Sequence, residues 1–160
     1  MKLNVSPTPT IRVRDDRSFV HVRRLGAYAE EAPRAWSDLH RALASASCVT
    51  ADSEFVGVCH DDSRAVSESA LRYDAGVTVT GATPAPPGTE LGRLPGGRYA
   101  VFRYRGSYGR IGQAFEQVFR GWVVKSGVKL REAPCLEVYL NDPKTTREEE
   151  LLTELWLPIE

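Results

Sequence analysis

The feature that most constrains this chain is a faint internal repeat. SFVHVRRLGAY, starting at Ser18, lies over RYAVFRYRGSY, starting at Arg98, so that Arg23 falls on Arg103, Gly26 on Gly106 and Tyr28 on Tyr108. The same spacing of 80 positions, held without gaps, sets EFVGVCHDD over PCLEVYLND, with Val58 on Val138 and Asp62 on Asp142. It then carries Glu68 onto Glu148 and Leu71 onto Leu151. Identities are sparse, and the stronger evidence is that the order of expected elements repeats as well. A duplicated chain folds as copies of one supersecondary unit, so finding the period comes before assigning the fold.

Each half opens on an apolar-alternating strand that ends at a glycine, Phe19 to Arg24 and Tyr99 to Tyr104. A helix follows. Trp36, Leu39 and Leu43 recur at helical spacing in the first half, and Ile111, Phe115, Val118, Phe119 and Trp122 do so more strongly in the second. Two strands complete each unit, Phe55 to Cys59 with Arg72 to Val79, and Leu136 to Leu140 with Leu152 to Leu157. The turns HDDS and NDPK follow the first strand of each pair. The stretch from Thr80 to Gly97, rich in proline and glycine, reads as a connecting loop. The expected fold is therefore α+β: tandem strand-helix-strand-strand modules, repeat 1 at about 18–79, a linker at about 80–97 and repeat 2 at about 98–160, fused into a single domain over 1–160. Pseudo-two-fold symmetry and a ligand pocket at the seam are the expected consequences of that duplication.

Composition removes several function classes. Lys plus Arg and Asp plus Glu both number 21 in 160 residues, so the formal net charge is zero, which does not suit a polyanion binder. Hydrophobic residues make up 42%, as in a soluble globular protein. No apolar run approaches a membrane span and MKLNVSPTPT lacks the core of a signal peptide, so a cytoplasmic location is expected. Cys48, Cys59 and Cys135 are odd in number and show no CxxC spacing, and His21, His40 and His60 are scattered. Neither a disulfide framework, a metal site nor a Cys/His nucleophile is expected, and no cofactor is implied. GSYGRIG lacks the spacing of a phosphate loop and reads as a tight turn. The basic run Arg12, Arg14, Arg17, Arg23 and Arg24 and the acidic run Glu148 to Glu150 read as solvated faces.

The last expected strand, LLTELWLP, carries one acid. Side chains alternate along a strand, so Leu152, Glu154 and Trp156 share a face. A buried carboxylate without a partner is costly, so that face is either wet or Glu154 is kept for a partner. In the first half Asp74 lies at the place of Glu154, and Gly76 at that of Trp156.

GGRYAVFRYRGSY from Gly96, PCLEVYLNDP from Pro134, TELWLPI from Thr153 and LRYDAGV from Leu71 together resemble the GyrI-like family. The resemblance covers the chain from about residue 18. That family includes stand-alone DNA gyrase inhibitors and the effector-binding domains of AraC-type and MerR-type activators. The resemblance implies an aromatic-lined pocket between the repeats, with a glutamate that meets lipophilic, cationic small molecules. The family's ligand acid stands four residues before the proline of the last strand, which here makes Pro158 the proline and Glu154 the acid. Trp156 beside it suits a flat organic cation. Tyr139, Glu137, Tyr104 and Phe102 join them as ligand-binding candidates, and a core tyrosine with a satisfied hydroxyl is the other reading of Tyr139 and Tyr104.

Three functions remain open from the sequence. The first is capture of small molecules for sensing or sequestration. The second is a gyrase-inhibitor-like role through protein contact. The third is hydrolysis of electrophilic cyclopropane-bearing natural products, with Glu154 as catalytic acid or base, Glu137 as a second carboxylate if the strand register allows, and Tyr139 or Tyr104 as proton donor. No helix-turn-helix is visible, so direct nucleic-acid binding is not expected.

Overall fold

A computed structural model describes residues 2–160. In chain order the strands are β1 (Asn4–Val5), β2 (Thr10–Arg14), β3 (Arg17–Leu25), β4 (Phe55–Cys59), β5 (Arg72–Thr78), β6 (Glu90–Leu94), β7 (Gly97–Arg105), β8 (Cys135–Tyr139) and β9 (Leu152–Pro158). Helix α1 (Tyr28–Leu43) follows β3. Helix α2 (Ile111–Val118) follows β7 and continues through a π-helical stretch, Phe119–Val123, into a last turn, Val124–Ser126. The chain divides into two compact units: a continuous one, Arg14–Gly97, and a split one that joins Arg98–Glu160 to the N-terminal segment up to Val13. Both are mixed α+β, with an antiparallel sheet and one long helix.

In the continuous unit the strand order is β4-β5-β3-β6. α1 carries Glu30 and Glu31 in its first turn and Arg41 in its last, charges that complement the helix dipole. It buries Ala35 and Leu39 against Tyr73 and Ala75 of β5, with Val22, Tyr28 and Trp36 packed around them. The Trp36 indole N–H donates to the Tyr73 hydroxyl at 2.8 Å, which satisfies both polar groups of a largely apolar contact.

In the split unit β9 lies between β7 and β8, and both β1 and β2 pair with β7. Its core joins Ala100, Phe102 and Tyr104 of β7 and Leu155 and Leu157 of β9 to Ile111, Ala114, Phe115 and Val118 of α2. The 3.6-residue spacing of those helical residues is what directs one stripe of α2 onto the sheet.

The strand-helix-strand-strand order is present twice with matching bounds: β3, β4 and β5 begin and end 80 positions before β7, β8 and β9. The glycines that end β3 and β7 match too. Gly26 has φ 136° and Gly106 φ 149°, and their N–H groups donate to Leu71 and Leu151 carbonyls, each at 2.9 Å. A Cβ would lie 2.9 Å from Glu31 Cγ at the first and 2.6 Å from the Tyr104 hydroxyl at the second, so only glycine fits both backbone and space.

Thr80–Gly97, expected as a connecting loop, contains strand β6. β6 stands 80 positions after β2, so each copy of the module has a lead strand of its own. The two lead strands are exchanged. β2, ahead of the first copy, pairs with β7 of the second, whereas β6, ahead of the second, pairs with β3 of the first.

Candidate functional site

The register around β9 decides which candidates can act together. Glu154 stands opposite Arg103 of β7 and Val138 of β8, and Trp156 stands opposite Val101 and Leu136. Those side chains share one face of the split unit's sheet. Leu155, opposite Phe102 and Glu137, belongs to the other face, where α2 packs. Tyr104 and Tyr139 fall on the helix face as well, both opposite Thr153.

Glu154 and Trp156 are therefore brought together, and the other four candidates are not brought to them. Phe102 is core, edge-on to Trp122 at 5.5 Å. Tyr104 is buried and its hydroxyl donates to the Ser107 carbonyl at 2.8 Å, with burial raising its pKa above the ordinary phenol value. The Tyr139 hydroxyl donates to Glu137 Oε1 at 2.6 Å, and its ring meets Tyr108 edge-on at 5.0 Å. The register thus withholds from Glu154 the second carboxylate and the tyrosine proton donors that hydrolysis would use.

Glu154 is 5% exposed and sits on a strand paired on both sides, so it is not a solvated edge glutamate. The Trp156 indole N–H donates to Glu154 Oε1 at 3.2 Å. Arg12 Nη1 and Arg103 Nη2 lie 3.4 and 3.6 Å from Oε2. The Arg12 guanidinium also stands 5.6 Å from the Trp156 ring centroid, and Tyr99 meets that ring edge-on at 5.4 Å. Carboxylate, indole face and neighbouring phenol form an acid beside an aromatic wall, chemistry suited to a flat or bulky organic cation.

Arg12 was expected on a solvated basic face. All five arginines of that run instead reach carboxylates: Arg12 to Glu154, Arg14 and Arg17 to Glu54, Arg23 to Asp74, and Arg24 to Glu31 and Asp38. A signal was available in the repeat, because Arg23 and Arg103 keep the same place in the two copies beside an acid that is also kept.

The equivalent acid, Asp74 in the continuous unit, is held differently. It is 1% exposed and receives hydrogen bonds from Arg23 Nε at 2.8 Å, Arg23 Nη2 at 3.0 Å and His60 Nε2 at 2.6 Å, and His21 Nδ1 lies 3.7 Å away. Burial works to raise its pKa, but the hydrogen bonds from His60 and Arg23 outweigh that and bring it down to about 2. Burial lowers the pKa of His21, which keeps that ring neutral in company with Phe19, stacked on it at 4.6 Å. The Phe19 ring covers Gly76, and a Cβ at that glycine would overlap it. Two of the three scattered histidines, His21 and His60, therefore converge on Asp74 with Arg23 to form a clasp. Among the described residues no group of His, Cys, Asp and Glu is arranged to hold a metal ion. Among the described residues Cys48, Cys59 and Cys135 form no disulfide, and no helix is long and apolar enough to cross a membrane.

A duplicated α+β module carrying an acid and an indole side by side on its last strand is the build of a small-molecule-binding domain. The chain belongs to the GyrI-like small molecule binding domain family, whose model matches residues 7–160. It is 34% identical over 110 residues to the probable transcriptional regulator YgiV of Escherichia coli strain K12, spanning 67% of this chain and 68% of that one. It is 28% identical over 128 residues to a DNA gyrase inhibitor of Erwinia billingiae, spanning 78% of this chain and 76% of the relative. Among solved structures, SAV2435 bound to tetraphenylphosphonium has a TM-score of 0.72 at 17% identity, covering 95% of this chain and 93% of SAV2435, a likeness of fold.

Proposed function

We propose that this chain captures lipophilic organic cations, with Glu154 as the charge-recognising acid and Trp156 as the stacking surface, in the service of sensing or sequestration. The observation that carries the reading is a buried carboxylate fixed by the adjacent indole N–H, with an arginine guanidinium already over the indole and against the other carboxylate oxygen. The site accepts a cation by ion pair and by cation–π contact at once. Family membership supports small-molecule binding, and SAV2435, with the same fold, is bound to an aromatic cation. Hydrolysis takes second place because Glu137, Tyr139 and Tyr104 lie on the opposite sheet face. A gyrase-directed role has in its favour the name of a relative at 28% identity and is tested by a supercoiling assay with purified gyrase.

Calorimetric titration with tetraphenylphosphonium and with neutral triphenylphosphine oxide tests the proposal. Glu154→Gln should weaken the cation by about 2 to 5 kcal/mol, the cost of removing one member of a desolvated charge pair, and weaken the neutral probe much less. Trp156→Ala should weaken both, since stacking area does not depend on charge. Equal losses for the two probes in Glu154→Gln would remove Glu154 as the charge-recognising group.

A further inference from the structure

We infer that Arg12 is a built-in competitor for the cation site, a residue that sets how good a ligand must be before it is accepted. The inference rests on the reading of Glu154 as cation acceptor. The Arg12 guanidinium makes the two contacts that an organic cation would make, 3.4 Å from Glu154 Oε2 and 5.6 Å from the Trp156 centroid, so both cannot hold that place together.

Comparison of the two copies shows why Arg12 is the displaceable cation. Around Asp74 the partners are built into the framework: Arg23 and His21 on β3 and His60 at the end of β4. In the second copy Arg23 is matched by Arg103, but the places of His21 and His60 are taken by Val101 and Leu140. The partner missing there is supplied from another element, the lead strand β2. Arg12 stands where β6 has Gly92, and a Cβ on Gly92 would lie 2.8 Å from His21 Nε2. One copy thus places a histidine from the inner strand under a bare lead strand. The other places an arginine from the lead strand over an apolar inner strand.

The difference matters because Arg12 is easily returned to water. Its side chain is 45% exposed, and residues 10–13 of β2 are all exposed, so the guanidinium has water beside it to move into. The arginine end of the pair is the hydrated one, against 7% exposure for the Glu154 side chain, so Arg12 is the partner that can leave. A ligand site that spends part of its time filled from within shows an affinity reduced by the open fraction. A small hydrated cation offers nothing Arg12 does not already offer. A bulky aromatic cation covers more of Trp156 and wins, so Arg12 filters for lipophilicity.

Titration of the full chain with tetraphenylphosphonium tests this. Arg12→Gln should bind it about tenfold more tightly, and Arg12→Lys by an intermediate factor, since lysine keeps the charge without the planar stack. Arg120→Gln, which removes an equally positive but distant, exposed side chain, should bind as wild type. In Glu154→Gln combined with Arg12→Gln the gain should vanish. Unchanged or weaker binding by Arg12→Gln, with Glu154→Gln still impaired, overturns the inference and leaves the proposed function standing. A gain that survives Glu154→Gln overturns the inference, because the competition is for that carboxylate. Absence of binding by both wild type and Arg12→Gln overturns both.

Discussion

Asp74 and Glu154 occupy one place in two copies of a module, yet one is clasped and the other is poised. Asp74 accepts three short hydrogen bonds from Arg23 and His60, each of the charge-assisted kind that contributes about 1.5 to 3 kcal/mol. Glu154 accepts one from a neutral indole and faces two partly exposed guanidinium groups at 3.4 and 3.6 Å, with no charge-assisted hydrogen bond of that short kind among the described residues. The aromatic next to each acid differs in the same sense. Phe19 closes the space over Gly76, while Trp156 carries the Arg12 guanidinium 5.6 Å from its ring centroid. Duplication permits this division: once one acid serves the fold, the other is released from that duty and can keep its capacity for an outside charge.

The contrast can be broken by mutation. Asp74→Asn should produce the largest loss of stability, about 3 kcal/mol in denaturant unfolding, because it leaves Arg23 and His60 without their anion. A loss as large from Glu154→Gln would mean that both acids are structural. Next in size is the effect of acid. The Asp74 pKa falls from an ordinary 3.8 to about 2 on folding, so its contribution is complete above the ordinary value and is lost as pH drops through about 2. That loss amounts to roughly 2 kcal/mol. His21 adds to it in the same direction. Its pKa lies below 6.5 in the fold, so the unfolded chain takes the proton first and stability declines as pH drops below 6.5. Unfolding curves at stepped pH should show this acid limb in wild type and in Glu154→Gln, and a flatter one in Asp74→Asn. Gly76→Ala should cost about 1 to 3 kcal/mol through displacement of the Phe19 ring, with no effect on cation affinity. Glu154→Gln sharpens the contrast from the other side: its stability should stay within about 1 kcal/mol of wild type while cation affinity collapses.

Much of this was legible in the chain. The 80-residue spacing locates β3, β4, β5, β7, β8 and β9 to within a few residues, because alternation and turn chemistry are local signals. The pairing of Glu154 with Trp156 follows from the two-residue period alone. The lead strands were not legible. ELGRL is five residues interrupted by a glycine inside a proline-rich stretch, and TIRVR is so short and so exposed that no buried face betrays it. Tyr104, Phe102, Tyr139 and Glu137 were grouped with Glu154 by residue type, whereas their separation depends on register, which no single strand encodes. The clasp at Asp74 was hidden for the same reason: His21, His60 and Arg23 are far apart in sequence and meet only through the pairing of β3, β4 and β5.

The exchanged lead strands also set an order of events during synthesis. The continuous unit needs β3, α1, β4, β5 and β6, so every part of it has been made once the chain has been extended to Leu94. β2 precedes all of these and pairs with β7, so it waits until the whole continuous unit and β7 have been made. Closing so long a loop costs only logarithmically more than closing a short one, but it delays the pairing. The strand that carries Arg12 is thus made before the continuous unit and settles after it, and the proposed cation site is completed only when β2 meets β7 beside β9.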